Sequence, residues 1–309
     1  MNRNRNTFRN SSALARQSWQ VLTKDRSLLA YPLVGGALCL GVSIVFGIML
    51  AVAGVFRAFT TNSDSLERAG RSSTADGAYI VGLIILFLYY LVTYTIMTIA
   101  NAALTAKARA KIEGEAMTLQ EGYNAAMAKF GPLFGFAAIA ATVGVIASGL
   151  RNSGRDSKNF GAMIIGAILS ATVLAAWSVI SYLAIPVIMF EGLGTFPALK
   201  RSMQLFRQTW GESLIGGLSL GCTFGLLTLA SMVPGVLIAV VGAASNAPFL
   251  LFVGIVLAVV AIAIVALLAG AVNTIFRVSL YRYATQGNTG GLLDDALVRE
   301  AFQTNQSAS

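Results

Sequence analysis

The sequence predicts an all-α, polytopic helical membrane protein, with six transmembrane helices in three repeats of an interfacial helix plus a helical hairpin. Three observations predict it. The 309 residues are 56% hydrophobic and only 11% charged, against about 45–50% and about 25% in a soluble domain. The apolar residues gather in six long blocks, at 33–56, 78–100, 131–149, 160–189, 214–241 and 249–272, each free of Asp, Glu, Lys and Arg. Short amphipathic stretches precede the first, third and fifth blocks.

A bilayer core of about 30 Å takes about 20 apolar residues in a helix. A helix satisfies its own backbone polar groups within the segment, which lipid cannot do for it. A membrane barrel would show alternating strands of about ten residues, and the sequence has none.

Taken in order, the first amphipathic stretch sets Ala15, Ser18, Trp19 and Leu22 on one helical face, with Arg16, Gln20 and Lys24 opposite. The first apolar block is too long and starts too late for a cleaved signal peptide, so the mature chain is expected to keep its N-terminus. Blocks one and two make the first hairpin, joined by a polar segment whose residues 64–76 are either a loop or a short helix. Before block three, Leu119, Gly122, Tyr123 and Ala126 form the stripe, and Thr118 with Glu121 makes a capping-box pattern. Block four is expected to kink at Pro186 and to close at Glu191. Before block five, Leu199, Ser202, Met203 and Phe206 lie opposite Lys200, Gln204 and Arg207, with Pro197 in the first turn. After block six, residues 285–309 form a cytoplasmic tail with the look of a docking segment.

The three amphipathic stretches resemble each other. Arg-Gln-Ser-Trp-Gln-Val-Leu at 16–22 aligns with Lys-Arg-Ser-Met-Gln-Leu-Phe at 200–206, and residues 119–131 align with 199–211. The chain thus reads as one membrane domain, 1–309, with repeats at approximately 8–106, 118–191 and 196–284. Each repeat crosses the membrane twice, which predicts a pseudo-threefold arrangement about the membrane normal rather than inverted repeats. Trp19, Tyr123, Phe130 and Trp210 are the expected interfacial aromatics, holding the short helices apolar face down on the membrane.

Charge placement predicts orientation. Arg57, Arg68, Arg71, Arg151, Arg155 and Lys158 lie on one side of the expected membrane, and the other sixteen of the 22 basic residues lie on the opposite side. By the positive-inside rule both termini face the cytoplasm of a prokaryotic multi-pass membrane protein. The net charge of +9 is therefore read as topogenic, with no nucleic-acid partner.

Small residues at four-residue spacing, such as Gly131 with Gly135 and Gly217, Gly221 and Gly225, suit close helix packing within the chain. Asn101, Glu191 and Asn273 fall near the cytoplasmic ends of helices and form a candidate polar cluster. Cys39 and Cys222 lie inside apolar blocks, where neither a disulfide framework nor a metal site is expected. No residue is His, which removes the commonest general base and metal ligand. The carboxylate pairs Glu113/Glu115 and Asp294/Asp295 sit in polar segments and read as solvated. No catalytic residue, metal or cofactor is assigned, and an enzyme is not expected.

The chain resembles a family of uncharacterised prokaryotic membrane proteins. The likeness rests on Ser-Trp-Gln-Val-Leu at 18–22, Met-Phe-Glu-Gly-Leu-Gly at 189–194, Ala-Leu-Lys-Arg-Ser at 198–202, Thr-Trp-Gly-Glu at 209–212, Leu-Tyr-Arg-Tyr-Ala-Thr at 280–285, and Ala301-Phe302. It is also distantly similar to the membrane domain of some glycerophosphodiester phosphodiesterases, whose catalytic half has no counterpart here. The resemblance implies a fold and a prokaryotic cell membrane. Mitochondrial carriers share the plan of three two-helix repeats, but their Pro-x-Asp/Glu-x-x-Lys/Arg motif is missing, since Pro234 is followed by Gly-Val-Leu-Ile.

The expected function is non-enzymatic: organising lipids, of anionic type, or partner proteins at the cytoplasmic membrane. Arg16, Lys24, Lys200, Arg201 and Arg207 are the candidate anionic-lipid contacts. The alternative is a transporter or permease for an apolar or amphipathic solute.

Overall fold

The computed structural model describes residues 27–52, 73–156, 160–210 and 214–291. Among them the chain is helical, with no strand. The elements are α1 (Ser27–Val52), α2 (Ser73–Ile112), α3 (Leu119–Met127), α4 (Phe130–Asp156), α5 (Phe160–Ser181), α6 (Ala184–Glu191), α7 (Thr195–Trp210), α8 (Leu214–Ala244) and α9 (Pro248–Gln286). Six spans are long and apolar enough to cross a membrane, and they match the six apolar blocks. The first amphipathic stretch, with Arg16, Trp19 and Lys24, lies outside the described residues, as do the tail beyond 291 and most of 64–76.

Each apolar pair folds as a hairpin: α1 on α2, α4 on α5, and α8 on α9. α2 is the hub, touching α1, α3, α4, α6 and α9. At 1.5 Å per residue, α2 and α9 are each about 60 Å long, twice the hydrocarbon core. Both continue past their apolar blocks, α2 through Ala-, Lys- and Arg-rich turns that are good helix formers and α9 through turns that carry Arg277 and Arg282. Their shared end, where α3, α6 and α7 also gather, is called here the basic end.

The packed core sits at the basic end. Leu28, Tyr31, Leu104, Leu133, Leu183, Ile188, Leu205, Ile275 and Leu280 are all sealed there. The far half is different: Ile44, Leu229 and Phe252 are about as exposed as any surface residue, at 64%, 59% and 64%. Lipid covers such side chains without cost, so helices there need only local pairing.

That pairing is tightest between α8 and α9. A Cβ added at Gly235 would lie 2.5 Å from the backbone nitrogen of Ala258, and one at Gly254 would strike the backbone of Ala239. Gly242 lies seven residues after Gly235, on the same face, and meets the backbone of Leu251. Of the four-spaced glycines singled out in the sequence, Gly131 and Gly225 face open space and Gly135 meets the Thr195 side chain, while the surroundings of Gly217 and Gly221 lie outside the described residues.

α3 is built as its sequence predicts. The Thr118 hydroxyl accepts from the Glu121 N–H at 3.3 Å, and the Glu121 carboxylate accepts from the Thr118 N–H at 2.8 Å. These bonds hold the Glu121 carboxyl below the usual carboxylate range. The α3 stripe packs on protein: Gly122 and Ala126 are buried, with Gly122 against the Tyr31 ring. The Tyr31 hydroxyl donates to the Thr118 carbonyl, and the Tyr123 hydroxyl donates to the Tyr31 carbonyl, both at 3.2 Å. α1 is thereby clasped to α3.

Candidate functional site

The basic end is organised around a broken helix. Pro186 lacks the N–H that would bond the Tyr182 carbonyl, and its ring crowds that carbonyl. The chain breaks four residues earlier, at Tyr182–Leu183, between α5 and α6. The break frees the Leu183 N–H in a buried place, and the Ser202 hydroxyl accepts from it at 3.0 Å. Ser202 is fully buried on α7, flanked by Ala198, Leu199, Leu205 and Phe206. The apolar face of α7 therefore covers the break rather than lying on lipid. Its outer face shows Lys200 and Arg207, both exposed.

α6 ends at Gly192, whose φ of +68° is the left-handed conformation that glycine adopts most readily. Glu191, just before it, is a junction. Its Oε1 accepts from the Tyr281 hydroxyl at 2.9 Å and from Arg201 Nε at 3.3 Å. The Tyr281 ring lies 4.9 Å from that of Phe190, and the Arg109 guanidinium sits 5.3 Å from the Phe190 ring centre. Arg109 also pairs with Glu113 at 2.9 Å. One chain of contacts thus joins α2, α6, α7 and α9. Arg109 and Glu113 line a cleft of about 330 Å³ together with Lys129, Met117 and Met189.

The expected polar cluster falls into two layers. Asn101 accepts from the Thr274 hydroxyl at 3.2 Å, while Glu191 is held by Tyr281. Thr274 and Tyr281 are seven residues apart on α9, about 10 Å along its axis. Asn273 is next to Thr274 and is partly buried.

Arg277 is one of the sixteen basic residues that the sequence reads as topogenic. It lies within α9, and its guanidinium sits 4.7 Å from the Tyr182 ring centre, over the helix break. The Phe206 ring meets Tyr182 edge-on at 6.0 Å. Of the interfacial aromatics, Tyr123 is half-buried against Tyr31, and burial pushes its phenol up. Phe130 is exposed and stacks on Phe134. Trp210 ends α7.

A protein-family model matches residues 80–291, more than two thirds of the chain. The chain belongs to this family of unknown function, DUF6159. The DUF6159 match spans Asn101, Arg109, Tyr182, Glu191, Ser202, Arg277 and Tyr281, and leaves α1 outside. No curated protein matches the chain, and no link to glycerophosphodiester phosphodiesterases is found.

Among the described residues, no group of three or more His, Cys, Asp or Glu side chains is placed to hold a metal ion. What the basic end offers chemically is positive charge on a rigid helical frame. Described residues there include nine basic side chains (Lys107, Arg109, Lys111, Lys129, Lys200, Arg201, Arg207, Arg277 and Arg282) against four acidic ones, Glu113, Glu115, Glu121 and Glu191.

Proposed function

We propose that the protein is a non-enzymatic membrane protein that gathers anionic lipids at its basic end, which faces the cytoplasm. The observation that carries this reading is the convergence of α2, α7 and α9, where the described basic side chains outnumber the acidic ones at one end of a bundle whose other half exposes apolar side chains. Glu191 and Glu113 engage Arg201 and Arg109, leaving Lys200 and Arg207 on the outer face of α7. Each basic residue near an anionic surface contributes about 1 kcal/mol. A partner protein could use the same face; lipid is favoured because α7 lies beside the membrane-spanning part of α5.

The test is extraction into lipid discs holding equal amounts of phosphatidylglycerol and phosphatidylcholine, followed by native mass spectrometry. The retained lipids are expected to be enriched in phosphatidylglycerol, and the doubly reversed variant Lys200→Glu/Arg207→Glu is expected to lose the enrichment. Retained lipid of bulk composition would contradict the reading. A permease remains the second reading, supported by the helix broken within the membrane-spanning stretch, a feature of many transporter sites. Solute flux above that of empty vesicles would favour it.

A further inference from the structure

We propose that Arg277 binds a single phosphate anion, the headgroup phosphate of one membrane lipid, beside the break between α5 and α6. The inference deepens the lipid reading and rests on it for the membrane context. The exposed side chains of α7 attract many lipids weakly, whereas Arg277 holds one.

Arg277 Nε is sealed from solvent and has no hydrogen-bond partner. The ion pairs among the described residues engage Arg109 and Arg201, not Arg277. Its neighbour is Tyr182, whose ring face attracts a cation and whose side chain hydrogen-bonds the guanidinium, but which carries no formal charge, so Nε keeps a free donor. A guanidinium with a donor withdrawn from water and no anion beside it among the described residues is costly, and more so in a membrane. The same group is a planar fork of donors that matches phosphate oxygens two at a time.

The position fits a headgroup. Arg277 is nine residues from the end of α9, about 13 Å inside it. Tyr182 ties that level to α7 through Phe206, and α7 carries its exposed basic residues alongside. Asn273 precedes Arg277 by one helical turn, on the same face of α9, and adds an amide donor within reach of the same anion. The residue itself keeps part of its surface open.

The full chain is delipidated in a neutral detergent and titrated separately with short-chain phosphatidylglycerol, short-chain phosphatidylcholine and inorganic phosphate, following Tm. Native mass spectrometry then counts bound lipid. A ligand of the folded state raises Tm saturably. The expected result is a saturable rise with phosphatidylglycerol at one lipid per chain. Arg277→Gln is expected to weaken it about tenfold or more, the size of a lost charged hydrogen bond. Arg277→Lys should fall between.

An equal rise with inorganic phosphate in the absence of lipid assigns the site to a soluble anion and overturns the lipid. Unchanged binding in Arg277→Gln overturns the site. If Arg277→Gln does not fold, the wild-type titration decides, and the lack of a saturable rise overturns the proposal. A single retained lipid without bulk enrichment would sink the general lipid reading and leave this site standing.

Discussion

The hydroxyl of Tyr281 donates to the carboxylate of Glu191 at 2.9 Å, across ninety residues of sequence. This bond fastens the end of α9 to the end of α6, and Arg201 on α7 completes it. Three elements that carry the charge of the basic end are held in one geometry by one carboxylate.

Removing the hydroxyl alone separates this bond from packing. Tyr281→Phe keeps the ring on Phe190 and should cost about 1–2 kcal/mol, the value of a partly exposed hydrogen bond to a charged group. Tyr281→Ala should cost about 3–5 kcal/mol, because it also empties a packed position. Denaturant unfolding in detergent, followed by tyrosine and tryptophan fluorescence, measures both. No loss in Tyr281→Phe would show that the hydroxyl contributes nothing.

Ser202→Ala should destabilise by about 1–3 kcal/mol, because it leaves the Leu183 N–H buried and unbonded. Ser202→Thr retains an acceptor and serves as the control for the hydroxyl, though it adds a methyl group to a full site. Hydrogen exchange at the Leu183 amide should accelerate in Ser202→Ala. An unchanged exchange rate would mean that the helix break does not depend on α7.

The contact between α8 and α9 is testable by substitution. Gly235→Ala and Gly254→Ala should each lower Tm, since the added Cβ meets the backbone of the facing helix, and Gly254→Leu should push the hairpin apart and lower Tm further. Gly225→Ala, whose Cβ meets open space, is the control. A tolerated Leu at position 254 would contradict the pairing.

The capping box of α3 makes stability depend on acidity. Glu121 is held below its usual value by its bonds to Thr118, so its stabilisation is present above the unfolded-state value and is lost as pH falls through the lower folded-state value. Wild type should exceed Glu121→Gln in Tm at neutral pH, with the gap closing under acid. A constant gap from pH 7 to pH 3 would contradict this account.

The six membrane-spanning helices were legible because lipid demands long apolar runs, and only their cores are recorded in such runs. The basic end was less legible for the same reason. Residues 101–112 and 273–286 read as polar connections once the apolar blocks stopped, so Arg277 and Tyr281 were not recognised as helical. The stripes on α3 and α7 were found by spacing alone, yet spacing cannot tell whether lipid or protein covers them. Protein covers Gly122 and Ser202. Pro186 announced the break, whereas the role of Ser202 depends on a contact nineteen residues away. The packing glycines Gly235, Gly242 and Gly254 were missed because their partners are backbone atoms of the facing helix, which leave no pattern in either sequence.

The central claim, that the basic end engages anionic lipid, is tested most directly by Tm in lipid discs of pure phosphatidylglycerol or pure phosphatidylcholine, at low and high salt. The account predicts a higher Tm in phosphatidylglycerol at low salt, with the advantage reduced by screening at high salt and diminished in Lys200→Glu/Arg207→Glu. Equal Tm in the two lipids at low salt, with the double variant unchanged, would contradict it.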